Sequence, residues 1–173
     1  LNTVSLGNEK IAPSKIICIG QNYMKHIEEL NNVVPDEMVI FMKGNSSITG
    51  KVASQHGGEQ LHYEGEICFL IRDRKLHSVG FGLDLTKRDL QKKLRGAGLP
   101  WERAKAFEGS GVFTEFVEFN DANELQVSLD INDSEAQSGG AGLMIYKPDV
   151  VLRGILEVMP LEDGDIIMTG TPA

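Results

Sequence analysis

The segment Glu64-Gly65-Glu66, running straight into Ile67-Cys68-Phe69-Leu70-Ile71, constrains the fold of this chain more than any other. Five consecutive apolar residues are too few for a typical helix and leave no polar side for solvent, so they predict a strand covered on both faces. Alternate residues of a strand share a side, which points Glu64 and Glu66 the same way with no side chain between them. Two aligned carboxylates repel unless water, an arginine or a cation answers them. A divalent cation with oxygen ligands is one answer, and a solvated acidic face is the other.

Further apolar runs predict more strands: Ile16–Ile19, closed by Gly20, Met38–Met42, and Asp165–Thr169 after the Asp163-Gly164 turn. Phe113–Glu118 and Gln126–Ile131 are also strand-like, and Asn132-Asp133 makes the second the first arm of a hairpin. Helical spacing predicts helices over Tyr23–Leu30, over Pro148–Val158, and from Leu83 to Gly96, the last with Asp84 as its start signal and Gly96 as its stop. Strands and helices come in mixed order rather than strict alternation. The expected fold class is therefore α+β with a largely antiparallel or mixed sheet. The 173 residues show no repeat and no linker, so one domain over 1–173 is expected.

Charge narrows the partners. With 17 Lys+Arg against 25 Asp+Glu the formal charge is −8, and no dense basic stripe offers a footprint for nucleic acid or an anionic membrane. Small molecules or proteins remain as partners. Cys18 and Cys68 both lie in apolar runs, which offers no disulfide framework and no CxxC site and suits a reducing cytoplasm. No apolar stretch approaches the roughly 18–20 residues of a membrane span, and LNTVSLGNEK lacks the regions of a signal peptide.

Three other places carry chemistry. Asp84, Arg88 and Gln91 are spaced i, i+4, i+7, so on the predicted helix they share a face, although Asp84 is equally a plain N-cap paired with Arg88. His26 and Glu29 are one helical turn apart, suited to a base and its orienting carboxylate. Met168-Thr169-Gly170-Thr171-Pro172 ends a strand in a glycine turn that exposes hydroxyls and backbone donors. Lys105, taken alone, reads as a solvated surface residue, and His62 is a neighbour of the acidic pair. No Walker loop, GxGxxG, HExxH or GxSxG motif occurs.

Taken in order, ICIGQNYMKHIEE at 17–29, FMKGNSSI at 41–48, HYEGEICFLI at 62–71, GLDLTKRDLQ at 82–91, GLPWERAKAF at 98–107, MIY at 144–146 and DGDIIMTGTPA at 163–173 resemble the fumarylacetoacetate hydrolase family, in its small single-domain acylpyruvate hydrolase and oxaloacetate decarboxylase branch. That resemblance implies a mixed-sheet α+β roll and a homodimer. It implies Mg²⁺ or Mn²⁺ on Glu64, Glu66 and Asp84, substrate binding by Arg88, Gln91, Lys105 and Thr171, and proton transfer by His26 with Glu29, Lys105 also counting as catalytic. The implied reaction is cleavage of a C–C bond in an acylpyruvate or related β-diketo acid through a metal-stabilised enolate. Oxaloacetate decarboxylation, isomerisation of a 2-hydroxy-dienoate, and a catalytically silent binding protein are its alternatives. Gly44 stands where many members carry Pro, and Asn132-Asp133 where Asn-Gly is usual. Further strands after Ala173 are expected on the same ground.

Overall fold

The computed structural model describes residues 1–30 and 35–173. In chain order these form β1 (Val4–Leu6), β2 (Glu9–Ile11), β3 (Lys15–Gly20), α1 (Met24–Glu29), β4 (Val39–Gly44), β5 (Ile48–Thr49), β6 (Gln55–His56), β7 (Glu59–Gln60) and β8 (Gly65–Arg72). There follow β9 (Lys75–Asp84), α2 (Arg88–Gly96), α3 (Glu102–Lys105), β10 (Gly111–Phe113), β11 (Gln126–Ile131), β12 (Ser134–Gly140), α4 (Pro148–Val158) and β13 (Ile166–Met168). No helix among them is long and apolar enough to cross a membrane.

The three most apolar runs become the middle of one seven-stranded sheet, in the order β4-β3-β13-β8-β9-β10-β5. β13 runs parallel to β3 and β10 parallel to β5, and the remaining pairs are antiparallel, so the sheet is mixed, as expected. Register aligns Ile16, Ile166 and Leu70 in one row across the sheet, Ile17, Ile167 and Phe69 in the next, and Cys18, Met168 and Cys68 in a third. Alternation then divides the rows between two faces. Ile16, Cys18, Cys68, Leu70, Ile166 and Met168 pack against Val4, Ile48 and Phe116. Ile17, Ile19, Ile71 and Ile167 pack against Val151 and Ile155 of α4 and against Leu161. Each such side chain, taken fully out of water, contributes about 1.5–3 kcal/mol. Cys18 and Cys68 are both buried and free, kept apart by the strand carrying Met168.

Pro148–Val158 is helical and Gln126–Ile131 pairs with β12, as the sequence predicts. Asn132 and Asp133 both have positive φ, at 51° and 61°, the backbone of a two-residue hairpin turn that follows the twist of its strands.

The helix expected from Leu83 is a correction. Leu83 and Asp84 end β9, Leu83 is paired with Gly65 on one side and Val112 on the other, and the helix begins at Arg88. Sheet pairing on both sides outweighs the weak helical spacing of the leucines. Phe113–Glu118 is shorter than expected, ending as a strand at Phe113 and leaving Phe116 and Val117 in isolated bridges. No local signal marks β9. Its run His77-Ser78-Val79-Gly80-Phe81-Gly82 is rich in glycine, and its turn, Asp73-Arg74 at φ 51° and 57°, carries no glycine to announce it. Gly82 is required by packing: a Cβ there would lie 2.5 Å from Cys68 Sγ.

A buried carboxylate ties the start of β3 to the turn before β13. Asp165 accepts from Ser14 Oγ at 2.7 Å, Lys15 N at 3.2 Å, Lys15 Nζ at 2.5 Å and Glu162 N at 2.9 Å. Burial alone would raise its pKa, but the bonds from Lys15, Ser14 and Glu162 outweigh burial and hold it below the usual carboxylate value. A depressed carboxylate stabilises the fold above the unfolded value of about 3.9, and that stability is lost as pH falls through the lower folded value. Asp165→Asn is expected to cost about 1–2 kcal/mol at neutral pH. It should also flatten the acid limb of stability, a comparison that urea melts from pH 7 down to pH 3 would make.

Candidate active site

The site is built by the register of β8 with β9. Gly65 pairs with Leu83 and Glu66 with Gly82, and Asp84 N donates to Glu64 O at 2.9 Å, so Asp84 stands across the ladder from Glu64. Glu66 lies two residues further along the same strand edge. The three carboxylates are 5%, 2% and 1% exposed in the order Glu64, Glu66, Asp84, with ligand oxygens all within 4.8 Å of one another. Sharing of a side by Glu64 and Glu66 is what alternation predicts. Asp84 joins them through the sheet, not through a helix face.

Cations are packed among these acids. Lys105, from α3, is 1% exposed and donates to Glu64 Oε2 at 2.6 Å, Asp84 Oδ2 at 2.7 Å and Thr86 Oγ1 at 2.6 Å. It is a buried residue, so the solvated surface position suggested by its sequence context is corrected. Its ammonium also sits 5.3 Å from the centre of the Phe41 ring. Arg88 bonds to Glu64, and to Gln91 Oε1 at 2.8 Å. The expected ion pair between Asp84 and Arg88 does not form, because Asp84 belongs to the strand and only Arg88 and Gln91 share the helix.

Lys43 is a site residue that the sequence reading misses. Fully buried on β4, it lies 2.8 Å from Asp84 Oδ1 and donates to the Lys105 carbonyl and, at 3.1 Å, to Ser110 Oγ. The available signal is strand alternation, since Phe41 and Lys43 are two apart and face one side. Gln137 is a second such residue: its amide accepts from Gly65 N at 2.7 Å and donates to Thr171 Oγ1 at 2.8 Å.

The protonation pattern follows from this packing. Burial pushes the Glu64 carboxyl up, but Lys105 and Arg88 outweigh burial and hold it well below the usual range. Burial pushes Glu66 up as well, and there the Asp84 and Glu64 carboxylates add to the rise against weaker help from Lys105 and the Gly170 N–H. Lys105 is driven down by burial and, more strongly, up by Asp84 and Glu64, so it stays charged.

After β13 the chain turns at Gly170, where two facts exclude a side chain: φ is +98°, and a Cβ would stand 2.9 Å from Asn22 Cβ. That turn aims Gly170 N at Glu66 Oε2, 2.8 Å away. Thr171 Oγ1 donates to Gly65 O at 2.9 Å. On α1, His26 Nδ1 and Glu29 Oε2 are 3.6 Å apart, beyond a hydrogen bond, and His26 Nδ1 is buried without a partner among the described residues. Burial holds the imidazole below its ordinary pKa. One cleft is lined by His26, Glu64, Glu66, Asp84, Arg88, Gln91, Lys105 and Thr171, while Glu29 faces the groove beside it.

Residues 15–173 match the family described as fumarylacetoacetate (FAA) hydrolase C-terminal. The chain belongs to the fumarylacetoacetate hydrolase family. It is 34% identical over 179 residues to oxaloacetate tautomerase YcgM of Escherichia coli, covering 92% of this chain and 81% of that one. It is 33% identical over 179 residues to the mitochondrial oxaloacetate tautomerase FAHD1 of Arabidopsis thaliana, covering 92% of this chain and 79% of that one. Its fold superposes with a TM-score of 0.88, at 22% identity and over 98% of this chain and 83% of the other, on the crystal structure of fumarylpyruvate hydrolase from Pseudomonas aeruginosa in complex with Mn²⁺ and pyruvate. The chain is thus an enzyme of the fumarylacetoacetate hydrolase family.

In this family enzyme, Lys43 bridges Asp84 to the backbone of Lys105. Lys43→Met would leave Asp84 facing one fewer cation and the Lys105 carbonyl one donor short. Removing one partner of a buried ion pair costs about 3–5 kcal/mol, and a loss of that size is expected in denaturant melts of the variant.

Proposed function

We propose that this chain is a divalent-metal-dependent enzyme of 2-oxo acids, with Glu64, Glu66 and Asp84 holding Mg²⁺ or Mn²⁺. The observation that carries the reading is the unfinished state of the buried acids. Asp84 Oδ1 is met only by the Lys43 ammonium, 2.8 Å away, and Glu66 faces two other carboxylates with its charge poorly supported. Three hard oxygen donors within 4.8 Å fit such a cation. When bound, the cation would supply an electron sink for the carboxylate and keto oxygens of a 2-oxo acid.

The chain's own residues supply the rest. Three carboxylates, Glu64, Glu66 and Asp84, are set against three cations, Lys43, Arg88 and Lys105, so a divalent ion leaves a positive surplus that suits an anionic substrate. Arg88 and Lys105 bind the substrate carboxylate, Gln91 accepts from Arg88 at 2.8 Å, and Thr171 lines the same cleft. Burial favours the neutral imidazole of His26 as the base, and Glu29, 3.6 Å from its Nδ1, is the carboxylate that would orient it on closing that gap. His26 takes a proton from water as the oxygen attacks the distal carbonyl of an acylpyruvate. The C–C bond to the adjoining methylene then breaks, its electron pair stays with the 2-oxo fragment, and protonation there yields pyruvate beside a carboxylic acid.

A second reading is favoured by the names of the curated relatives, which are oxaloacetate tautomerases. Tautomerisation uses the same head-group binding and moves one proton between the methylene carbon and the keto oxygen, without water. The proposal also includes a homodimer and a cytoplasmic location.

Calorimetric titration with Mg²⁺ and Mn²⁺ is expected to show binding to the wild type and affinity reduced at least tenfold in Glu66→Gln; equal affinities would refute the assigned ligands. Purified protein loaded with either ion is expected to hydrolyse acetylpyruvate. His26→Ala should lower that rate by about 10²–10⁴ while oxaloacetate decarboxylation survives. Equal loss of both would remove the separate role given to His26.

A further inference from the structure

We propose that Gln137 is a positioning residue for the metal site: with Thr171 it clasps the backbone of Gly65 and so sets the spacing of Glu64 and Glu66 on either side. The proposal rests on the reading of Glu64, Glu66 and Asp84 as metal ligands and deepens it.

The need for a clasp comes from where β13 stops. In an antiparallel ladder successive residues of a strand turn their N–H and C=O groups to opposite neighbours. Asp84 N donates to Glu64 O, so the backbone of Glu64 faces β9 and that of Gly65 faces the other neighbour, β13. Two residues along β8, the Ile67 carbonyl is met from that side by Thr169 N at 3.2 Å and Thr169 Oγ1 at 2.7 Å. The chain then turns at Gly170, and among the described residues no strand backbone pairs with Gly65 on this side. Gly65 is buried, where an unpaired N–H or C=O is costly.

Two side chains supply what the ladder does not. Gly65 N donates to Gln137 Oε1 at 2.7 Å, Gln137 Nε2 donates to Thr171 Oγ1 at 2.8 Å, and Thr171 Oγ1 donates to Gly65 O at 2.9 Å. The bonds close a ring in which each residue both donates and accepts. Gln137 Nε2 also donates to Pro172 O at 2.8 Å, which fixes the amide's orientation, since only its nitrogen can face a carbonyl and only its oxygen the Gly65 N–H. The approach needs a glycine at 65: a Cβ there would stand 3.2 Å from Gln137 Oε1 and 3.0 Å from the Phe81 ring.

Gln137 is 8% exposed and comes from β12, whose sheet with β11 is separate from the seven-stranded one. It ties that hairpin to the strand edge carrying two of the three acids. It does not line the cleft, so it acts on the site through Gly65 and Thr171.

The test measures Mg²⁺ and Mn²⁺ affinity by calorimetry, and the EPR spectrum of bound Mn²⁺, in wild type, Gln137→Met, Thr171→Val and the double variant. Urea melts without metal record stability separately. Methionine keeps the length of the side chain and loses the amide. The expected result is affinity about tenfold lower in Gln137→Met, a changed Mn²⁺ spectrum, and no further loss when Gln137→Met is added to Thr171→Val, because both act through one ring. Unchanged affinity and spectrum in Gln137→Met, with only its melt shifted, would overturn the positioning role and leave the proposed function standing. Losses that simply add in the double variant would also overturn it. If Gln137→Met does not fold, Thr171→Ser, which keeps the hydroxyl, is compared with Thr171→Val, and equal affinities in those two would overturn the clasp. No binding of either ion by the wild type would overturn the metal site and the clasp together.

Discussion

The antiparallel ladder between β8 and β9 holds the site together, because it alone sets Asp84 opposite Glu64. A slip of one residue would turn every side chain of β9 to the other face and take Asp84 out of the cluster. The register is determined at the far end of the hairpin, by the two-residue turn Asp73-Arg74 and the irregularity after Leu70. Gly82 then lets β9 lie against the Cys68 side chain without a clash. A carboxylate position in the cleft is thus governed by backbone geometry at the opposite end of the strand.

Around that ladder the protein buries charges of both signs. Taking ions out of water costs several kcal/mol each, and their mutual attraction offsets this only when the geometry is close and every remaining lone pair finds a donor. Lys105 meets that condition with three acceptors, and Lys43 reaches Asp84 while bonding the backbone that carries Lys105. Glu66 does not meet it. The stability that tolerates this shortfall comes from the isoleucine-rich rows of β3, β13 and β8, apolar on both faces and packed on one side against α4.

Several features are legible in the sequence because they depend on near neighbours. The strands at 16–19 and 67–71, the helix Pro148–Val158, the hairpin at Asn132-Asp133 and the common side of Glu64 and Glu66 all follow from short-range periodicity or turn chemistry. Position 84 misleads for the opposite reason. Its spacing to Arg88 and Gln91 suits a helix, yet pairing with strands distant in sequence overrides a weak local preference. Lys43 is hard to read because a lysine after an apolar run ordinarily reaches water. Only the arrival of Asp84 and α3 from elsewhere in the chain makes its burial favourable.

Local chemistry, then, was written in the residues themselves: two acids on one strand edge, a histidine and a glutamate a turn apart, a glycine turn after the last strand, and an apolar core sufficient for a mixed sheet. Which acids meet, which cations face them and where the cleft opens into a groove came from long-range strand pairing. Periodicity reports the side on which a residue lies, whereas the partner it meets there depends on register, and register is a property of the assembled sheet.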